Sequence, residues 1–195
     1  MTIKQVLDYV DEIKPNAFSN ATKTLWLNEV EGLVQTEIFL WNDSECFQYN
    51  YAYSGSASVY FPDEHTIAFT DTSLLKIFRP GGKITNFAPS SPYAGNSFSS
   101  RVIQEITDTG LVFEESFGTT GETPTTTTVK YSGEDVELLV KYPHDKIYGA
   151  YLIAKVDFAN GEYDKYANTM TMFNAFWGEF SRWFARVYCP AGRRR

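Results

Sequence analysis

Histidine and cysteine are scarce in this chain, with two of each in 195 residues. His65 and His144 lie far apart, as do Cys46 and Cys189, and no CxxC or CxxH spacing joins them, which excludes zinc-finger and dithiol motifs. So few cysteines in a chain of this length predict free thiols rather than a disulfide framework. Long apolar runs are missing too. No stretch approaches the roughly 20 residues that a membrane helix needs. No charged-then-apolar leader is present, so a soluble protein without secretion signal or membrane span is expected. Basic charge is also short: 17 Lys and Arg stand against 24 Asp and Glu, a net charge of -7. That balance argues against a general nucleic-acid clamp, which needs a basic excess to meet phosphates.

Catalytic signatures are equally thin. His144 and Asp145 are neighbours in sequence at a helix start, and such neighbours seldom converge on one substrate. Ser54-Gly55-Ser56 lacks the GxSxG pattern of a nucleophile elbow. Pro80-Gly81-Gly82-Lys83 lacks the phosphate-loop pattern and reads as a hairpin turn between two strands. Glu114 and Glu115 fall on opposite faces if their run is a strand, so they cannot act together on a glycosidic bond. Asp63-Glu64-His65 reads as a solvated turn. A protein that is not an enzyme, with no metal and no cofactor, is therefore expected.

What is present is patterned apolar surface, with 43% hydrophobic residues. Thr2 and Gln5 have capping-box spacing, and Ile3, Val6, Leu7, Val10 and Ile13 follow at helical intervals, predicting a first helix over 3–14 that Pro15 ends. Ser19 or Asn20 caps a second helix that runs to Leu40 or Trp41. Composition then shifts to Ser, Thr, Gly, Tyr and Phe. Short runs at 57–61, 66–70, 74–79, 83–87, 101–107, 111–117 and 125–131 predict six or seven antiparallel strands. Asp145 is placed to cap a further helix from Lys146, which Asn160-Gly161 interrupts.

The last helix carries the strongest pattern. Tyr163, Tyr166, Met170, Phe173, Trp177, Phe180, Phe184 and Val187 recur at alternating gaps of three and four residues, an a/d seam expected to be core. The N-terminal hairpin is expected to pack against it. Phe176, Trp183 and Tyr188 lie beside the seam and make the apolar face wider than one antiparallel neighbour needs. The expected fold is α+β: a helical bundle from residues 1–45 and 132–195, with a small antiparallel β-barrel or sandwich inserted at 46–131.

Charge is unevenly spread. Residues 1–45 hold eight acids against three bases, whereas 132–195 hold eight against nine. The final fifteen residues carry Arg182, Arg186, Arg193, Arg194 and Arg195 and no acid. A molecule acidic at one end and basic at the other can meet a copy of itself head to tail, the heterologous contact that closes into rings.

Two sets of residues carry a family resemblance. Thr2-Ile3-Lys4-Gln5-Val6-Leu7, Lys14-Pro15-Asn16 and Trp26-Leu27-Asn28-Glu29-Val30-Glu31-Gly32 form the first. The second includes Leu138-Leu139-Val140, Tyr142-Pro143, Asp145-Lys146-Ile147-Tyr148, Asp157-Phe158-Ala159-Asn160-Gly161-Glu162-Tyr163-Asp164-Lys165-Tyr166, Asn168 and Met172-Phe173-Asn174. Together they resemble the two ends of adaptor-type head-tail connector proteins of tailed bacteriophages and prophages. The likeness covers about half the chain, residues 1–41 and 134–190. The large β-rich insert and the Arg193-Arg194-Arg195 tail depart from the short members of that group.

The resemblance implies a virion protein, present in the bacterial cytoplasm during assembly, that forms a ring below the portal protein. Such a ring prolongs the DNA channel and docks the next connector component, a stopper or tail protein. DNA passes through without sequence-specific binding, and an acidic protein suits that passage because like charge discourages sticking. Beside this resemblance, Phe176, Trp183 and Tyr188 become candidates for subunit or partner contact, and Arg193, Arg194 and Arg195 for a portal-facing tail. The alternative is a binding module whose β-insert recognises carbohydrate or another surface ligand, with Tyr49, Tyr51, Tyr53, Tyr60 and Tyr93 as stacking candidates.

Overall fold

The computed structural model describes residues 1–42 and 44–188. The protein is α+β and divides into two compact units, Met1–Gln48 with Leu138–Arg195, and Tyr49–Glu137.

In the first unit, α1 (Ile3–Ile13) starts at the expected capping box: Gln5 N–H donates to Thr2 Oγ1, and Thr2 N–H donates to Gln5 Oε1 at 2.9 Å. Ile3, Val6, Leu7 and Val10 are buried, but Ile13 is exposed, so the buried stripe is one turn shorter than its periodicity predicts. α2 (Asn20–Leu33) is capped by Ser19, whose Oγ accepts from Thr22 N–H at 3.1 Å. Between the two helices, the fully buried Lys23 amine donates to both carboxylate oxygens of Asp11, at 2.7 and 2.6 Å.

The second helix stops being α-helical at Leu33. Residues Val34–Ile38 widen into a π-helical turn, and Leu40 takes a left-handed φ of 57° that reverses the chain. Gln35 gives this turn a purpose. Its buried amide accepts from Phe47 N–H at 2.8 Å and donates to Phe47 C=O at 3.0 Å, satisfying both backbone groups of a segment outside any regular element.

α3 (Lys146–Ala159) is the centre of this unit. Ile147, Tyr148, Leu152 and Val156 are fully buried, and the small residues Gly149, Ala150 and Ala154 let neighbours approach closely. A Cβ on Gly149 would lie 2.7 Å from the Tyr9 ring. Gly161, at φ 75°, turns the chain into α4 (Tyr163–Tyr188). Lys14 clamps that turn by ion pairs to buried Asp157 and to Glu162. Lys14, with help from Lys165, holds the Glu162 carboxyl at about 2.

The N-terminal hairpin does not face the α4 seam as the sequence predicts. α1 and α2 pack chiefly on α3, and α3 supplies most of the helix contact to α4. α3 thus takes the place on α4 expected of the hairpin, and it is much the shorter helix. α3 has 14 residues and α4 has 26, about 21 Å against about 39 Å at 1.5 Å per residue. Only Phe173 and Phe180 of the seam are buried, with Tyr166, Met170, Trp177 and Phe184 half-buried and Tyr163 and Val187 exposed. The seam is therefore core only along its middle.

The second unit holds β1 (Ala52–Phe61), β2 (Thr66–Phe69), β3 (Lys83–Phe87), β4 (Phe98–Ile106), β5 (Gly110–Phe113) and β6 (Gly121–Ser132). All pair antiparallel in the closed order β1-β2-β5-β4-β3-β6. The first and last strands run side by side from Ala52↔Ser132 onward, so the unit begins and ends at one place, as an insertion requires. Its interior is aromatic: Phe61, Phe69, Phe78, Phe87, Phe113, Phe117 and Tyr131 are buried. At Gly110 a Cβ would fall 2.4 Å from Ile67 C=O, so only glycine permits the β2–β5 approach.

Residues 74–79 are not the strand their short apolar run predicts. Asp71 caps a 3-10 turn over Thr72–Ile77 through Ser73 N–H at 3.0 Å, which drives Leu75 and Phe78 inward from the same segment. Consequently Pro80-Gly81-Gly82 leads from that turn into β3 rather than joining two strands, with Gly81 at φ 84°.

One buried acid joins the pieces of the helical unit. Glu31 of α2 is fully buried, and its Oε1 accepts from the Tyr148 hydroxyl of α3 at 2.6 Å and from Leu139 N–H at 3.1 Å. The same hydroxyl accepts from Val140 N–H at 2.8 Å, while Glu31 Oε2 is buried without a partner. Burial pushes the carboxyl from its ordinary 4.5 up to about 7, against the opposing hydrogen bonds and the charge of Lys141. The folded state thus holds this proton more tightly than the unfolded chain. Its contribution is fully present below pH 4.5 and is lost as pH rises through about 7. Urea titrations across that window should show stability falling by about 3 kcal/mol from this group. Glu31→Gln should flatten the slope and be the more stable form above it; an unchanged slope would show that the proton is held elsewhere.

Candidate interaction surface

The end of α4 past Glu179, where the contacts of Lys146 at the start of α3 stop, gathers aromatic side chains from three separate segments. Phe39, brought round by the π-helical turn, lies 5.1 Å from Phe184 between ring centres, and Phe184 lies 4.6 Å from Tyr188. Phe180 stacks near Trp183 at 6.1 Å, and Trp183 meets Tyr188 edge-on at 6.0 Å. With residues 139–142, these rings line a cleft of about 190 Å³. Its walls are partly open to solvent: Trp183 is 38% exposed, Tyr188 62% and Tyr142 87%.

His144 supports this surface from beneath. It is buried, with ring centres 4.8 Å from Trp183 and 5.7 Å from Phe180, and its Nδ1 has no hydrogen-bond partner. It packs as a core ring against Phe180 and Trp183. Lys141 lines the cleft and brings positive charge to it, and α4 adds two arginines beside Trp183. Arg186 follows Trp183 by three residues and Arg182 precedes it, both exposed, so α4 carries two cations next to the aromatic stripe in its sequence. Arg186 Nε donates to Arg182 C=O at 3.2 Å, and neither arginine is paired with a carboxylate among the described residues.

In comparisons with known proteins, no family model matches the chain and no curated protein matches it.

Of the three residues expected to make contacts between subunits, Trp183 and Tyr188 line the cleft. Phe176 does not. It is half-buried beneath Lys146, whose Nζ lies 4.4 Å from its ring centre and also pairs with Glu179 at 3.2 Å. Arg193, Arg194 and Arg195 lie outside the described residues. Phe39 and Tyr142 escaped sequence reasoning as parts of one surface, because helical periodicity relates residues within a helix and neither belongs to α4. The abrupt end of the α2 pattern near Leu40 was the one local sign that Phe39 leaves the helical register.

The other candidates scatter. Asp63 accepts from His65 N–H at 2.8 Å, which holds its carboxyl below the usual range, in an exposed turn. Among the described residues no three His, Cys, Asp or Glu side chains converge as metal ligands. Tyr49 and Tyr93 are buried while Tyr51, Tyr53 and Tyr60 are half-buried, so the five expected stacking residues do not form one open aromatic face.

Chemically, the cleft offers desolvated aromatic contact beside positive charge. That is the composition of a protein-docking hot spot, in which aromatic and arginine side chains dominate. Core and surface roles are separable along α4. Phe180→Ala, removing a buried ring, should lower stability by about 3–5 kcal/mol in chemical denaturation. Tyr188→Ala should cost less than about 0.5–1 kcal/mol. Equal losses at the two positions would place Tyr188 in the core.

Proposed function

We propose that this protein is a structural head-tail connector of the adaptor type, a virion component that forms a ring below a portal. In this reading the helical unit is a bundle that builds the ring, and the inserted β-unit is a barrel carried by it. The ring prolongs the DNA channel and docks the stopper or tail protein that follows, and the Arg193, Arg194 and Arg195 tail reaches toward the portal.

The observation that carries this reading is the aromatic, arginine-flanked cleft at the distal end of α4. A 26-residue helix whose neighbour covers little more than half its length leaves apolar surface for another chain. The resemblance of residues 1–41 and 134–190 to connector proteins supplies the identity of the partners. The net charge of -7 is compatible with a channel wall along which DNA slides.

Mixing the protein with the portal encoded in the same genome should give a complex that co-elutes in size-exclusion chromatography. Electron microscopy should then show added density as a ring on one face of the portal. Absence of any complex under assembly conditions would count against the connector function.

A further inference from the structure

The aromatic cleft has a counterpart on the same unit. On α1, Tyr9 and Ile13 are 44% and 54% exposed, one helical turn apart, on a helix whose remaining large apolar residues are buried. Asp8 and Glu12 form the adjacent stripe, both exposed. Asp8 pairs with Lys4 at 2.6 Å, whereas Glu12 has no cationic partner among the described residues. This edge is apolar and acidic where the cleft is apolar and basic.

We propose that the cleft receives the acidic edge of α1 from a second copy of this chain, with Ile13 entering the aromatic pocket and Glu12 meeting Arg186. This rests on the ring-forming reading and names the surfaces that would join neighbouring subunits. Three observations commit the cleft to this occupant.

Size is the first: at about 190 Å³ the cleft is smaller than the roughly 300 Å³ at which small-molecule sites begin. It suits one inserted side chain. Placement is the second. Lys14, next to Ile13, is tied to Asp157 and Glu162 at the start of α4, whereas the cleft begins at Phe180. Eighteen residues of helix separate Glu162 from Phe180, about 27 Å along the axis. The two patches therefore lie at opposite ends of α4 and cannot cover each other within one chain. Charge is the third. A symmetric contact of cleft on cleft would bring Arg182 and Arg186 against their own copies, so the contact must join unlike patches, the heterologous geometry that generates rings. Leu25 and Met172 fit less well, since neither has an unpaired carboxylate one turn away.

Sedimentation analysis of the full chain, with charge swaps at two exposed positions, tests this. The wild-type protein should self-associate with rising concentration, and more weakly with added salt. Arg186→Glu and Glu12→Arg should each weaken association by about ten-fold or more without changing the melting temperature. Mixing the two variants should restore it, because each then offers the complementary patch that the other lacks. Three results would overturn the proposal: a wild-type chain that remains monomeric at its highest soluble concentration, swaps without effect, or swaps that the mixture fails to rescue. Loss of portal binding by Arg186→Glu with self-association intact would assign the cleft to the portal instead. Portal binding by a wild-type protein whose self-association ignores both swaps would leave the connector function standing and remove only this contact. Rescued self-association without portal binding would do the reverse.

Discussion

The helical unit depends on a carboxyl group that water cannot reach. Its two chain segments are separated by an entire inserted unit, so local sequence cannot hold them together, and Glu31 supplies the joint. One of its oxygens accepts from the Tyr148 hydroxyl of α3 and from Leu139 N–H, in the segment that returns to the helical unit. Apolar packing alone would leave that returning segment free to slide, because dispersion and the hydrophobic effect are non-directional. Hydrogen bonds aimed at one buried oxygen specify its register. The second oxygen, Oε2, has no partner, which makes the protonated form the comfortable one and couples the joint to pH.

From that joint follows the central place of α3 and, from its shortness, the character of α4. A helix roughly half covered by its neighbour must leave the other half to something else. The covered middle uses Phe173 and Phe180 as core. The uncovered end concentrates Trp183, Phe184 and Tyr188 with Phe39, over His144. Contiguous exposed apolar surface of this kind is uncommon on monomeric proteins.

The β-unit follows a different logic. Its first and last strands pair, so the unit closes on itself and its polypeptide ends meet, which makes it tolerable as an insertion. Its aromatic residues are largely spent on filling the interior, where Phe61 meets Phe87, Phe78 meets Phe69 and Tyr131, and Phe113 meets Phe98, all at edge-on or tilted angles.

Sequence alone determined whatever depends on neighbours along the chain. The Thr2–Gln5 capping box, the helix cap at Ser19 or Asn20, the stop before Pro15, the Asn160-Gly161 turn and the compositional break after residue 45 are all local, set by backbone geometry and side-chain reach over a few positions. Periodicity also marked α4 as an apolar helix. It did not reveal which part of that helix is core, since that depends on the length of α3. Nor did it reveal that residues 74–79 coil into a 3-10 turn, because Asp71 capping and the inward pull on Leu75 and Phe78 override β propensity. The aromatic cleft was beyond sequence for the same reason. Phe39, Tyr142 and Tyr188 become neighbours only once Glu31 and the π-helical turn have set the paths of their segments. The a/d pattern made α4 a packing helix, and tertiary structure decided how much of it the chain itself would cover.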